Sequence, residues 1–167
     1  MKKFSYFLLP LLVLSACGDE EELGSVLSQS YYTGSVLSAN YPYVAEGGGI
    51  VFHRYFLEEG EPEVADDEYS EDFLIQIPGE VGSSFVLTGE ELRHANILYN
   101  QYCFCFPTDV LEITGGEVRG TKLGDEWFLE VNVGYEQGYK SPQDGEVVIT
   151  NADSLIFSGS FRARARP

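Results

Sequence analysis

The run Trp127-Phe128-Leu129-Glu130-Val131-Asn132-Val133 places Trp127, Leu129, Val131 and Val133 two residues apart with Glu130 and Asn132 between them. Only an extended chain puts such a set on one face, so this segment is a strand with one buried side. Its flanks carry turn chemistry. Gly124-Asp125 precedes it, Glu117 to Leu123 is the strand before that turn, and Gly115-Gly116 reads as a hairpin turn back to Val110-Leu111-Glu112-Ile113-Thr114. Downstream, a loop over 134–145 leads to a strand over 146–150, a turn at Asn151-Ala152-Asp153 and a last strand over 155–166. Upstream, Ile50 to Leu57, Phe73 to Ile77 (stopped by Pro78-Gly79), Ser84 to Leu87 and the alternating Ile97 to Phe106 read as further strands. Thr88-Gly89-Glu90-Glu91 fits a capping box for one short helix, Glu90 to Asn96. Closely spaced strands with short turns predict an all-β domain, an antiparallel β-sandwich or barrel-like meander.

The N-terminus belongs to a different physical regime. Met1-Lys2-Lys3 is basic, Phe4 to Leu14 is an apolar run of 11 residues, and Leu14-Ser15-Ala16-Cys17 follows. A helix needs about 20 apolar residues to cross a bilayer, so the run is an export signal and not a span. Ending in Ser-Ala-Cys, it resembles bacterial lipoprotein signals. That resemblance implies cleavage before Cys17, acylation of Cys17, and a membrane anchor of two or three chains, each stabilised by about 0.8 kcal/mol per buried methylene. Gly18-Asp19-Glu20-Glu21-Glu22 then looks like the surface-export signal of Bacteroidota lipoproteins. A hydrated spacer is the other reading of the same residues. The expected location is the outer membrane, lipid-anchored.

Removing residues 1–16 leaves 151 of the 167 residues, enough for one domain and a tether. The divisions expected are a signal at 1–16, a lipidated flexible tether at 17–45, rich in Ser, Gly, Asn and Tyr, and a β-rich domain at 46–167. Loss of Lys2 and Lys3 leaves eight basic residues against 27 acids, a net charge of −19. A surface of that sign repels nucleic acid, which is excluded as a partner. Of the three cysteines, Cys103 and Cys105 remain after acylation of Cys17, at a spacing that in a regular strand disfavours a disulfide.

No catalytic pattern stands out. There is no Gly-x-Ser-x-Gly, no His-Glu-x-x-His and no phosphate-binding glycine loop. The segment 58–72 holds nine acids in 15 residues but lacks Asp-x-Asp-x-Asp-Gly spacing, so a hydrated loop is expected in place of a calcium site. His53, His94, Cys103 and Cys105 lack zinc-ligand spacing. No metal and no cofactor are expected. Among 11 Tyr, 11 Phe and one Trp, Trp127 alternates with core residues. Tyr135 and Tyr139 in the 134–145 loop, and Tyr31, Tyr32, Tyr41 and Tyr43 in the tether, are the candidates for exposed ligand-stacking rings. Arg162, Arg164 and Arg166 share one face of the last strand and are expected beside neighbouring acids.

Gly145-Glu146-Val147-Val148-Ile149-Thr150, a turn, and Phe157-Ser158-Gly159-Ser160-Phe161 together resemble the closing hairpin of small β-rich Bacteroidota lipoproteins. The likeness covers about a quarter of the chain, carries no functional residue, and departs from the pattern at Arg162-Ala163-Arg164-Ala165-Arg166. The expected function is a non-enzymatic interaction or accessory module on the outer membrane, whose partners are the bilayer through Cys17 and an outer-membrane protein. The alternative is a surface β-domain that binds a glycan or other small ligand.

Overall fold

The computed structural model describes residues 25–40, 42–60, 68–102 and 110–167, with the backbone alone at Val110. The chain forms eight strands and one helical turn: β1 Ser25–Leu37, β2 Val44–Glu58, β3 Tyr69–Pro78, β4 Ser84–Thr88, α1 Gly89–Arg93, β5 Asn96–Tyr102, β6 Val110–Leu123, β7 Glu126–Lys140 and β8 Val147–Ala163. They make one sheet in the order β4-β6-β7-β8-β1-β2-β3-β5. Every neighbouring pair is antiparallel except β1 and β8, which run parallel and meet only at Ser30–Arg162 and Tyr31–Ala163. The all-β expectation holds.

That narrow β1–β8 seam is a fold line. The β1-β2-β3-β5 half and the β4-β6-β7-β8 half turn their inner faces toward each other, and one core fills the space between them. Phe52 of β2 stands edge-to-face against Trp127 of β7 (5.7 Å) and Phe161 of β8 (5.6 Å). Phe73 of β3 meets Phe157 of β8 at 5.4 Å, and Tyr99 of β5 meets Tyr135 of β7 at 5.1 Å. Each such pair adds about 0.5–1.5 kcal/mol beyond its area burial. The two edge strands, β4 and β5, are joined through α1, and Leu92 of α1 is fully buried in the same core. No ladder connects β4 to β5 among the described residues, so the sheet remains open.

Four sequence expectations change. Residues 25–37, read as tether, are β1, hydrogen-bonded along its length to β2. Tyr31 enters the inner core, while Tyr32 joins Val44, Val51 and Leu74 in a smaller cluster on the outer face. Gly115-Gly116 is no turn: β6 runs through it, and the ladder to β7 slips by one residue between Ile113 and Gly115. Gly116 sits at φ +113°, and a Cβ there would collide with the carbonyl of Asn132. Glycine is needed for a bulge as much as for a turn. Residues 134–140 of the expected loop and the Asn151-Ala152-Asp153 turn are likewise strand, so the loop shrinks to 141–146 and β7 and β8 form one long hairpin. Finally, Thr88 is the N-cap of α1 by backbone geometry only; its side chain makes no capping hydrogen bond, and the helix ends at Arg93.

Candidate binding surfaces

Strand direction gives the molecule two distinct ends. The starts of β1, β3, β6 and β8 and the ends of β2, β5 and β7 lie together at one end. Toward that end the inner face changes from apolar to polar. Glu71 of β3 is the centre of the change. Its Oε2 accepts from Arg54 Nη1 at 2.9 Å, and its Oε1 accepts from the hydroxyls of Tyr99, at 2.9 Å, and Tyr69. Gln101 Nε2 donates to both tyrosine oxygens at 2.9 Å. The Arg54 guanidinium also stacks over Phe157, 4.8 Å from the ring centre, and over Phe56 at 5.5 Å.

Both side chains of the ion pair are only 14% exposed. Burial alone would push the Glu71 carboxyl up; the hydroxyls of Tyr69 and Tyr99 and the Arg54 guanidinium outweigh it and hold the carboxyl below its usual range. The Tyr69 hydroxyl is pushed up to about 12, first by burial and then by the adjacent Glu71 charge. Tyr99 and Tyr135 are raised too, again first by burial. The cluster is a self-satisfied network that ties β2, β3 and β5 together.

Beside it, a cleft of about 480 Å³ follows the free side of β5, lined by Leu37, Ser38, Asn96, Tyr99, Leu111 and Gln137 among others. Gln137 is 1% exposed, and its Oε1 has no hydrogen-bond partner among the described residues. A buried carboxamide oxygen without a donor is uncommon and marks a place where a donor can bind.

A third feature lies on β8. Its first eight residues, 147–154, are exposed on both faces of the strand. One side is hydrogen-bonded to β7; on the other, β8 meets no strand among the described residues until Arg162. Val147, Val148 and Ile149 are 48%, 39% and 43% exposed. Natural edge strands are usually guarded by lysine, proline or a bulge; this one carries a one-residue slip against β7 at Thr150, and beside it three consecutive β-branched apolar residues.

The candidate ring residues fare unevenly. Tyr135 is buried at 4% against Tyr99 and cannot stack on a ligand from outside. Its strand, extended through the expected loop, turns it inward in phase with Trp127. Tyr31 and Tyr32 are buried for the same reason, Tyr139 and Tyr43 are half-buried, and Tyr41 lies outside the described residues. Trp127 is in the core as expected. Arg162 pairs with Glu126 at 2.9 Å, and Arg166 Nη1 donates to the Gly34 carbonyl at 2.6 Å.

Cys17, Cys103, Cys105 and residues 61–67 of the acidic run also lie outside the described residues. Among the described residues no three His, Cys, Asp or Glu side chains group as metal ligands. Ser30, His53 and Asp72 do stand side by side on the outer face of β1, β2 and β3. His53 Nε2 lies 2.7 Å from Asp72 Oδ1, but Ser30 is 3% exposed and its hydroxyl donates to Tyr32 at 3.4 Å. A nucleophile needs access to substrate and a hydrogen bond to its base, and Ser30 has no access. The cleft along β5, the Gln137 oxygen and the β8 edge were not expected from the sequence. The only available signal for the last was Val147-Val148-Ile149 itself. No family model, no curated protein and no solved structure matches the chain.

Proposed function

We propose that the protein is a non-enzymatic interaction module, held on the outer membrane by acylated Cys17, which binds a protein partner through the exposed edge of β8. The observation that carries this reading is the 147–154 segment, open on both faces and unpaired on one side among the described residues. Such an edge offers a ladder of backbone donors and acceptors for affinity, and Val147, Val148 and Ile149 for side-chain selectivity. The −19 net charge of the mature chain adds electrostatic selection against anionic partners.

The test is co-purification of the full-length lipoprotein from detergent-solubilised outer membranes under mild crosslinking. The wild type is expected to bring down a stoichiometric protein partner, and Val147→Lys with Ile149→Lys to lose it. Retention of the partner by that variant would remove β8 from the interface.

A second reading rests on the unpartnered Gln137 oxygen: the cleft along β5 takes a small polar ligand such as a sugar hydroxyl. A glycan melting screen separates the two. A saturable stabilisation that Gln137→Leu abolishes would favour the cleft.

A further inference from the structure

The β1–β8 pairing gives a ruler for the anchor. Ser30 lies beside Arg162, and from that level both chains run back toward the same end of the molecule. Cys17 precedes Ser30 by 13 residues, and Ile149 precedes Arg162 by 13. A β-strand rises about 3.3 Å per residue, so Ile149 lies about 43 Å from the shared level. An extended chain gains at most about 3.3–3.6 Å per residue, so Cys17 reaches about 47 Å at the limit. With the strands upright on the membrane, the acylated cysteine can sit no more than a few ångströms beyond Ile149. In that orientation the exposed end of β8 is held at the membrane plane. A tether of 17–45, as the sequence alone suggested, would have left the domain free to tumble.

From this we infer that the occupant of the β8 edge is an extended strand of an integral outer-membrane protein, added alongside Val147–Ser154 at the membrane surface. The inference rests on the anchored-module reading above. Lipid fits the site poorly. Acyl chains cannot satisfy the free N–H and C=O groups of an open strand edge, and the turn beyond it carries Asp144 and Glu146, whose burial in hydrocarbon is costly. A second copy fits poorly too. Two chains of −19 repel, and symmetric antiparallel pairing of two β8 strands would point one anchor away from the membrane. A membrane-embedded partner presents a strand at the required height without either conflict.

The experiment uses the full-length lipoprotein in its own outer membranes, with benzoylphenylalanine placed at Val148 or, as a control, at Leu123. Leu123 is 60% exposed at the opposite end of the molecule. A twin of the Val148 protein carries 12 Gly/Ser residues inserted between Gly24 and Ser25. Ultraviolet irradiation is expected to give an adduct with an integral membrane protein from position 148 and not from 123. The insertion is expected to lower that adduct about fivefold or more, because the longer tether dilutes the edge at the membrane plane. An adduct equally strong from position 123, an adduct with a second copy or with lipid only, no adduct at all, or indifference to the insertion would each overturn the inference. Intact mass of the same purified chain reports acylation at Cys17 separately. An unacylated chain sinks the anchored-module reading, whereas an acylated chain with no adduct specific to position 148 sinks the inference alone.

Discussion

The Glu71 network makes a quantitative prediction about stability. In Glu71→Gln the side chain keeps its shape, and its amide oxygen still accepts from Tyr69 and Tyr99. Its nitrogen, however, now faces the Arg54 guanidinium 2.9 Å from where Oε2 was, donor against donor. Breaking one partner of a fully buried pair costs about 3–5 kcal/mol. Both side chains here keep 14% exposure and Arg54 retains its contacts with Phe56 and Phe157, so the lower end, about 3 kcal/mol, is expected. Arg54→Met leaves Glu71 charged but still bonded to two hydroxyls, and should cost about 2 kcal/mol. The double variant removes both charges, so its loss should fall short of the sum by about 1.5 kcal/mol or more. Urea unfolding of the mature chain carrying Cys17→Ser, followed by Trp127 fluorescence, measures all three. Additivity of the two single losses within about 0.5 kcal/mol, or a Glu71→Gln loss below that figure, would refute the argument that the pair is a coupled, water-poor unit.

Further outcomes follow from the same structure. Gly116→Val forces a β-branched residue to φ +113° against the Asn132 carbonyl and should destabilise by about 2–4 kcal/mol, read in the same urea titration, whereas Gly124→Ala at the exposed turn should cost less. Glu71 is held below its ordinary 4.5 in the fold, so its contribution is present above that pH and is lost as the pH falls through the lowered folded value; Glu71→Gln should flatten this acid limb of the stability curve. Tyr69, raised from 10.0 to about 12, acts in the opposite sense: its contribution is full below pH 10 and is lost as the pH rises toward 12, and Tyr69→Phe should remove that alkaline limb. Trp127 is the single tryptophan and is 2% exposed, so native emission should be blue-shifted and move to the red on unfolding; red-shifted native emission would contradict its place between Phe52 and Phe85.

The β7 strand was legible because it has one buried face, and period-two alternation records that geometry directly from Trp127 to Val133. The same rule fails where both faces share a fate. In β1, Tyr31 and Tyr32 are adjacent and both buried because they enter clusters on opposite faces, while Ser30 and Ser35 are buried small polar residues; the resulting string reads as linker. At 147–154 both faces are exposed, so Asn151-Ala152-Asp153 carries turn chemistry inside a strand. Gly115-Gly116 suits a turn or a bulge equally, and only the β7 ladder chooses between them. The Glu71 network was invisible for a topological reason: Arg54, Tyr69, Glu71, Tyr99 and Gln101 come from three strands, and the 17-position separation of Arg54 and Glu71 says nothing of their contact. Misplacing the end of β7 at the loop also turned Tyr135 from a core ring into a proposed surface one.

The β8 edge, which no described strand pairs beyond β7 before Arg162, is proposed to be occupied at the membrane. Amide hydrogen exchange resolves it residue by residue, comparing outer-membrane vesicles with the lipoprotein purified in detergent. In detergent, the amides over 147–154 that are not bonded to β7 should exchange fast, since one side of β8 bonds to β7, with a slip at Thr150, and the other to none of the described strands. In membranes those fast amides should become protected while Gly159 to Ala163 stays unchanged. Equal exchange over 147–154 in both preparations would contradict the account.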